Sequence, residues 1–333
     1  MSEPFELITT GRIGVDLYPQ QSERTLDQVD SFAKSLGGSA ANVAVAAARL
    51  GCRAAIITKV GDDAFGAYLR DSLSAYGVDP RWVGVDPGLR TPIVFCEIFP
   101  PDHFPLLYYR EPSAPDLQIS SEELDLEAIA GARVFWTTGT GLCEEPSRTA
   151  VLTALAARAE RAGPGAISVH DLDYRPMFWE SVDAARRATA QALRHATIAV
   201  GNATEAEVAT GLGEPRAAAR ALIEFGLQLA IIKLGGEGVF ALAGDGAELA
   251  VDPIEVKVIN GLGAGDAFGG TLAAGLVHGW GLERTLRAAN AAGAIVASRL
   301  DCAPAMPTHE EIEGLAGDLG LTASPIAARR QMP

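Results

Sequence analysis

Short apolar segments alternate with helix-forming segments along most of this chain, and this alternation limits the possible folds more than any other feature. Strands are predicted at residues 5–10, 54–60, 134–138, 166–171, 198–200 and 230–233, with helices at 39–50 and 67–76. Such spacing is typical of a mainly parallel sheet covered by helices on both faces. The predicted fold is therefore a three-layer α/β/α domain, whose ligands bind at the carboxyl ends of the strands.

Two segments, residues 15–32 and 91–112, interrupt this alternation because they contain strand-like runs with no helix between them. Residues 93–99 and 106–110 form a predicted strand pair across a proline-rich turn. Surface hairpins are one interpretation. The aromatic sequence FCEIFPPDHFPLLYYR favours another, a small β-sheet that covers the substrate as a lid. We expect a single domain at residues 5–315, a homodimer formed through the lid, and a flexible tail at 320–333.

Composition indicates an ordinary enzyme and excludes several classes of partner. The 333 residues carry a net charge of −15, so neither nucleic acid nor an anionic membrane is an expected partner. The four cysteines lack CxxC spacing and are predicted to be reduced thiols in a cytoplasmic protein. The N-terminal sequence MSEPFELITT has no signal-peptide pattern, and no run approaches the roughly 18 apolar residues of a membrane span.

Residues 259–275, INGLGAGDAFGGTLAAG, join a glycine-rich loop to the start of an apolar helix and carry a single carboxylate. Backbone N–H groups of Gly263, Ala264 and Gly265 would face a ligand together with the positive end of the helix dipole, which favours phosphate. Asp266 repels phosphate, so its presence indicates chemistry: it can deprotonate an acceptor hydroxyl during phosphoryl transfer. The alternative is a tight turn in which Asp266 only caps the helix.

Two stretches resemble the signatures of a known family. GGSAANVAVAAARLG at residues 37–51 and GAGDAF at residues 263–268 are similar to the two motifs of the ribokinase-like (PfkB-type) carbohydrate kinases, in the same order and at a similar separation. The resemblance covers residues 5–310. It implies the ribokinase-like fold, with a mainly parallel sheet and a small β lid, and a reaction in which ATP and Mg²⁺ phosphorylate a primary hydroxyl of a sugar or sugar acid.

The resemblance implies that Asp16, Gly37, Gly38 and Asn42 contact the sugar. A carboxylate at position 16, after the first strand and a Gly-x-x-Gly turn, can accept hydrogen bonds from hydroxyls, although it could instead cap a turn. Gly37 and Gly38 would let the chain approach a ligand closely, and Asn42 can both donate and accept. A plain helix start with an exposed Asn42 is the other interpretation.

Two arginines favour an acidic sugar. Arg110 follows Tyr108 at the end of a predicted lid strand, and Arg175 lies in DLDYRPMFW just beyond a strand of the main sheet. Guanidinium groups bind carboxylates through two parallel hydrogen bonds. These contexts resemble the sugar-acid kinases of the family, in which a Tyr-x-Arg strand and an Asp-x-Asp/Asn-x-Arg loop hold the acid end of the substrate. Each arginine could alternatively pair with a local acid, Glu111 or Asp173.

The nucleotide is predicted to bind along three later segments. Asn202 and Glu205 have the N-x-x-E spacing with which the family organises Mg²⁺ through water, and the same spacing also fits a helix capping box. Lys233 ends a strand before a glycine-rich turn that suits phosphates and ribose. The resemblance assigns the nucleotide contacts to Asn202, Lys233, Gly235, Gly236, Gly238, Gly263, Gly265 and Asn290.

The loop departs from the family pattern at Asn260, where most relatives have an aspartate that helps to bind a monovalent cation. Activation by such a cation is therefore doubtful, whereas the catalytic half of the loop is intact. Two rival classes are disfavoured. The spacing of Gly261, Gly263 and Gly265 is not GxGxxG, which argues against a nicotinamide dehydrogenase. The retained Asp266 argues against an inactive sugar- or nucleotide-binding regulator, because a mere binder gains nothing from that repulsive charge.

Overall fold

Strands of two sheets form the framework of the molecule. The computed structural model describes residues 4–21, 23–163 and 165–321, so the predicted tail lies outside the described residues from position 322 onward. In chain order the strands are β1 (Leu7–Thr10), β2 (Gly14–Pro19), β3 (Phe32–Gly37), β4 (Ala54–Gly61), β5 (Val78–Asp86), β6 (Ile93–Cys96), β7 (Leu106–Tyr109), β8 (Val134–Thr138), β9 (Ile167–Asp171), β10 (Ile198–Asn202), β11 (Leu229–Lys233), β12 (Val239–Ala243) and β13 (Glu248–Val251).

The central sheet has the order β13-β12-β11-β10-β9-β8-β1-β4-β5, which confirms the predicted fold class. In this order, each strand from β11 to β5 pairs in parallel with the next one. At the other edge, β12 and β13 form a hairpin that pairs antiparallel with β11. The sequence pattern misses β5, β12 and β13. β5 contains Pro80 and Arg81, and the hairpin follows β11 with no helix between, so both break the strand–helix period on which the prediction depends.

Helices cover both faces of the central sheet. They are α1 (Ser39–Arg49), α2 (Ala64–Ala75), α3 (Leu126–Gly131), α4 (Ser147–Arg161), α5 (Val182–Leu193), α6 (Ala203–Thr210), α7 (Pro215–Ile223), α8 (Ala264–His278), α9 (Leu282–Ala297) and α10 (His309–Ala316). Alternate strand residues face opposite layers. Leu7 and Trp136 pack with α1, α8 and α9, whereas Ile8 and Phe135 pack with α4 and α5. Within the described residues, none of these helices combines the length and the apolar character that crossing a bilayer requires.

A close contact between α1 and α8 positions the first turns of both helices. A Cβ atom at Gly270 would lie 2.3 Å from the Cβ of Ala46, so the two helices approach through small residues. A Cβ at Gly269 would likewise meet the ring of Trp136. Because Asn42 and Asp266 belong to these first turns, the alanine- and glycine-rich sequences bring the two side chains together.

The second sheet, here called the lid, has the order β3-β2-β6-β7. β2 pairs antiparallel with β3 and parallel with β6, and β7 completes a hairpin with β6. β3 begins at Phe32, so the predicted lid segment 15–32 holds one strand and the loop after it, and the partner strand lies beyond that segment. Asp16, Val94 and Tyr108 from this sheet share a cavity with the start of α8, so the lid covers the carboxyl ends of the central strands.

Candidate active site

The glycine-rich loop leads directly into α8. Gly263 caps the helix with a φ of +80°, a left-handed conformation that favours glycine, and a Cβ there would lie 2.5 Å from Sγ of Cys302. Ala264 and Gly265 belong to the first turn, whose N–H groups have no acceptor within the helix, and both line the adjoining cleft. The loop therefore offers unpaired N–H groups to that cleft, as phosphate binding requires.

Asp266 lies in the first turn of α8 and faces a narrow cavity. Its Oδ2 accepts a hydrogen bond of 2.8 Å from Nδ2 of Asn42, whose Oδ1 is buried and has no partner among the described residues. Burial raises the pKa of Asp266 to about 6, even though the hydrogen bond from Asn42 lowers it. The cap position belongs to Gly263, so the alternative in which Asp266 only caps the helix is wrong. A carboxylate with this pKa is suited to accept a proton near neutral pH.

The narrow cavity, here called the inner cavity, has a volume of about 60 Å³. It is enclosed by the lid, the loop after β1, and the starts of α1 and α8. Its lining is Arg12, Asp16, Gly38, Ser39, Asn42, Val94, Cys96, Leu106, Tyr108, Arg175, Leu262, Gly263, Asp266 and Cys302. The structure thus brings together the predicted residues Asp16, Gly38, Asn42, Tyr108, Arg175 and Asp266, whereas Gly37 and Arg110 do not line this cavity.

Asp16 and the two glycines interlock at the edge of the inner cavity. A Cβ at Gly37 would lie about 2 Å from the carboxyl group of Asp16, and a Cβ at Gly38 would lie 2.5 Å from the carbonyl oxygen of Arg12. Contacts within the chain therefore already require glycine at both positions, and close approach of a ligand there stays a prediction. Burial raises the pKa of Asp16 to about 7, against the charge of Arg12 and a hydrogen bond from Tyr18.

Asp173 joins Arg12 and Arg175 at one end of the inner cavity. Its Oδ2 lies 3.3 Å from Nη2 of Arg12, and its Oδ1 lies 3.4 Å from Nε of Arg175. Oδ2 also accepts hydrogen bonds from the hydroxyl groups of Ser39 and Thr140, at 2.8 and 2.6 Å. Although burial opposes ionisation, these partners hold the pKa of Asp173 well below its usual range. Arg175 therefore pairs with the local acid Asp173, as the alternative interpretation predicts. It also lines the inner cavity.

Arg110 faces a different space. Its Nη2 donates to Oδ2 of Asp116 at 2.9 Å, and both side chains are almost fully buried. Arg110 lines a separate cavity of about 390 Å³, here called the lid cavity, and Tyr108 lines both this and the inner cavity. Arg110 and Arg175 therefore line different cavities, and their joint contact with one ligand stays a prediction. The acid that Arg110 pairs with is Asp116, not the predicted Glu111.

A larger cleft of about 680 Å³, here called the outer cleft, adjoins the inner cavity across the glycine-rich loop. Its volume is typical of a small-molecule site. The predicted nucleotide residues that line it are Asn202, Lys233, Gly235, Gly236, Gly238, Gly265 and Asn290. Gly263 faces the inner cavity instead, so the loop forms the boundary between the two spaces.

Lys233, at the end of β11, is the cation of the outer cleft that lies nearest the loop. Its amino nitrogen lies 3.3 Å from the point where a Cβ of Gly265 would be. Burial opposes its charge, but Asp171 and Glu205 outweigh that effect and raise the pKa of Lys233. Burial also raises the pKa of Asp171, at the end of β9, to about 8, although Lys233 counteracts it. The bottom of the cleft is therefore a cation surrounded by acids, which can bind a phosphate and the metal that accompanies it.

Asn202 and Glu205 form the capping box of α6. Oδ1 of Asn202 accepts from the N–H of Glu205 at 2.9 Å, and Oε2 of Glu205 accepts from the N–H of Asn202 at 2.8 Å. Oε1 of Glu205 has no hydrogen bond among the described residues, so the capping role leaves one oxygen for water. No three His, Cys, Asp or Glu side chains in the described ranges converge to hold a metal ion directly. A metal here would depend on phosphate oxygens and water.

Two of the predicted nucleotide residues also have structural roles. Nδ2 of Asn290 donates to the carbonyl oxygen of Asp252 at 2.9 Å, which holds the loop after β13 against α9. Gly238 has a φ of +88°, and a Cβ there would lie 2.1 Å from the carbonyl oxygen of Val251. Contact of either residue with a nucleotide stays a prediction.

Sequence reasoning missed Arg12 and Asp171 as site residues, and it named Asp173 only as a local partner of Arg175. Arg12 lies inside the Gly-x-x-Gly turn after β1, and Asp171 and Asp173 are the two acids of the DLDYR segment at the end of β9. Each follows the carboxyl end of a central strand. A search of every strand end for charged side chains would have found all three.

The fold and the two adjoining spaces, one with a glycine-rich anion loop and one with a buried base, are those of a small-molecule kinase. The chain belongs to the pfkB family of carbohydrate kinases, whose family model matches residues 5–309. Curated relatives named 5-dehydro-2-deoxygluconokinase include one from Bacillus subtilis, 33% identical over 93% of this chain and 95% of its own length. Another, from Photobacterium profundum, is 35% identical over 92% of this chain and 93% of its own. The predicted family and the ATP-dependent sugar kinase activity are thus confirmed.

Solved structures share the fold. Aminoimidazole riboside kinase from Salmonella enterica, complexed with aminoimidazole riboside and an ATP analogue, is 27% identical over 94% of this chain and all of its own, with a TM-score of 0.78. A putative ribokinase II from E. coli, in complex with ATP and Mg²⁺, is 24% identical over 93% of this chain and 98% of its own, with a TM-score of 0.84.

Proposed function

We propose that this kinase phosphorylates the terminal hydroxyl of 5-dehydro-2-deoxygluconate, the substrate in the names of its curated relatives, and that residues 5–315 act as one kinase domain. The observation that carries the proposal is the inner cavity. It combines Asp266, a buried carboxylate beside the glycine-rich loop, with Arg12 and Arg175, whose guanidinium groups suit the carboxylate of a sugar acid. A kinase of neutral sugars has no need of two such arginines.

In the proposed reaction the terminal hydroxyl of the substrate lies in the inner cavity at Asp266. Because about 60 Å³ holds only about two water molecules, the lid must shift to admit the rest of the substrate. Asp266 accepts the hydroxyl proton while Asn42 orients the carboxylate by its hydrogen bond. Gly263, Ala264 and Gly265 direct N–H groups toward the phosphoryl group and stabilise the charge that develops on it. Asp16 accepts hydrogen bonds from substrate hydroxyls at the lid, and Tyr108 closes the cavity wall. Exclusion of water by the lid limits hydrolysis of ATP.

The outer cleft is the proposed ATP site. Lys233 binds phosphate oxygens, and the glycine turn at Gly235, Gly236 and Gly238 lets ribose and phosphates approach the backbone. Glu205 would hold Mg²⁺ through water with its free oxygen, consistent with its burial beside Lys233 and Asp171. When bound, Mg²⁺ supplies positive charge that offsets the charge of the phosphates. Asn290 supports the wall of the cleft where the base would lie.

Asn260 supports activity without a monovalent cation. It is fully buried, its Nδ2 donates to the carbonyl oxygen of Leu300 at 2.6 Å, and its Oδ1 accepts from the N–H of Leu262 at 3.0 Å. An amide donor thus satisfies a carbonyl and fixes the loop from within the chain. A bound cation is not needed to satisfy these groups.

The outer face of the lid supports a homodimer. Phe32, Phe95 and Tyr109 pack edge to face in a row, with ring centroids 5.3 and 5.5 Å apart. Leu107 and Tyr109 are 47% and 60% exposed, which is unusual for large apolar side chains beside one another. A second copy of the same face is the proposed partner. All four cysteines are free thiols, which supports a cytoplasmic location.

A substrate panel tests the proposed function. ATP consumption is measured with 5-dehydro-2-deoxygluconate, 2-keto-3-deoxygluconate, fructose and ribose, with and without potassium. We expect the highest kcat/KM with the first acid and no dependence on potassium. Preference for 2-keto-3-deoxygluconate would keep the acid class and change the substrate. Preference for fructose or ribose would indicate a fructokinase-like enzyme of neutral sugars. The absence of turnover on all four would favour an inactive binding protein.

A further inference from the structure

Two guanidinium groups in the wall of the inner cavity share one carboxylate partner. Arg12 and Arg175 both pair with Asp173, and within the described residues no other carboxylate oxygen forms an ion pair with either guanidinium group. Asp16 and Asp266 line the same cavity and interact with Arg12 through charge, without contacting it as ion pairs. A substrate carboxylate would give the two guanidinium groups a second acidic partner.

Arg12 is held rigidly in position for such a ligand. Its Nε donates to Oγ1 of Thr140 at 3.0 Å, and its Nη2 donates to Oγ of Ser39 at 3.2 Å. The side chain is 8% exposed, and its Nη1 makes no hydrogen bond to any residue that the structure describes. The fold has therefore already desolvated and ordered a guanidinium group with a free donor. An anion can bind to it with little further ordering.

Arg110 lies in different surroundings. It is paired with Asp116, whose side chain is 1% exposed, and it lines the lid cavity, which Arg12 and Arg175 do not line. The ring centroid of Phe178 lies 5.8 Å from the guanidinium carbon of Arg12 and 5.1 Å from that of Arg110. The two guanidinium groups line different cavities, which share Leu106 and Tyr108 in their walls.

We propose that Arg12, together with Arg175, binds the carboxylate of the substrate and that Arg12 determines the preference for an acid over a neutral sugar. This inference rests on the proposed sugar-acid kinase function and identifies the second arginine of the carboxylate site, in place of Arg110. Both arginines line the same cavity as Asp266, so one bound substrate can contact all three side chains.

The test is Arg12→Lys, which keeps the positive charge next to Asp173 and removes the planar fork. Steady-state kinetics are measured with the preferred sugar acid and with its neutral analogue, in which a primary amide replaces the carboxylate. For Arg12→Lys we expect kcat/KM on the acid to fall about thirtyfold and kcat/KM on the amide to change less than about threefold. A loss that is equal on both substrates, or an unchanged acid preference, would overturn the inference.

The matched control is the double variant Arg110→Gln/Asp116→Asn, which keeps a hydrogen-bonded pair and removes both charges from the lid cavity. We expect it to change the acid-to-amide ratio of kcat/KM less than about threefold. A collapse of that ratio would assign the carboxylate to the lid cavity and overturn the inference. If the wild-type enzyme shows no preference for the acid, the proposed function itself is wrong. The wild type thus tests the proposed function, and the variants test the role of Arg12.

A second pair of variants covers the case in which Arg12→Lys does not fold. Thr140→Val removes the oxygen that accepts from Nε of Arg12, and Thr140→Ser retains it. We expect Thr140→Val to raise KM for the acid about tenfold with little effect on the amide, and Thr140→Ser to restore it. Thermal melts and nucleotide affinity check that both variants are folded. Identical kinetics of the two variants would argue that Arg12 is only structural.

Discussion

The substitution Asp266→Asn should make the enzyme nearly inactive and, at the same time, more stable. Asparagine has the same shape and can still accept the hydrogen bond from Asn42, so the fold should be retained. As the proposed base, Asp266 contributes on the order of a hundredfold or more to kcat. Nucleotide affinity should be largely intact, because the N–H groups of the loop are unchanged.

The gain in stability follows from the pKa of Asp266. A pKa of about 6 in the folded protein, in place of 3.8, means that folding disfavours the ionised form by about 3 kcal/mol. Because the pKa of Asp266 is higher in the folded than in the unfolded protein, its contribution to the free energy of unfolding is fully present below pH 3.8. That contribution is lost as the pH rises through about 6. Asp266→Asn should therefore be more stable by up to about 3 kcal/mol at pH 8, and by about half of that at pH 5.

Urea unfolding at both pH values measures this difference, and single-turnover kinetics measure the loss of catalysis. In the wild type, the kcat/KM profile should fall as pH decreases below about 6, as the base becomes protonated. Turnover near the wild-type value in Asp266→Asn would remove Asp266 from the role of base. A variant that is less stable than the wild type at pH 8 would refute the reasoning from burial.

Three further predictions concern other groups. Glu205→Gln should raise the Mg²⁺ concentration for half-maximal activity several-fold; if Glu205 only caps α6, a thermal melt should show a loss of about 1 kcal/mol or less and metal titrations should match the wild type. Arg175→Ala should lower kcat/KM for the sugar acid by about thirtyfold and for a neutral sugar far less, and equal losses on both would mean that this arginine is structural. Arg158 is buried and donates to four carbonyl groups and to Ser168, so Arg158→Met should lower the free energy of unfolding by about 1–3 kcal/mol with kcat unchanged, whereas a thermal melt like the wild type's would contradict this.

The sequence by itself determined the features that depend on neighbours along the chain. The apolar strands and their helices predict the parallel sheet, because periodicity is a local property. Spacings of a few residues determine the left-handed Gly263, the place of Asp266 in the first turn of α8, and the reciprocal hydrogen bonds of Asn202 and Glu205. The anion loop and its carboxylate could therefore be located before the structure was known.

Only the tertiary structure decided which charges share a cavity. In sequence, Arg110 and Arg175 are equivalent candidates, whereas the structure pairs Arg110 with Asp116 beside the lid cavity and brings Arg12 to Arg175 through Asp173. Arg12 and Asp173 are 161 positions apart, and they meet because the ends of β1 and β9 open on the same edge of the sheet. An ion pair depends on distance in space, and the order of the strands, which sets that distance, is not a local property of the chain.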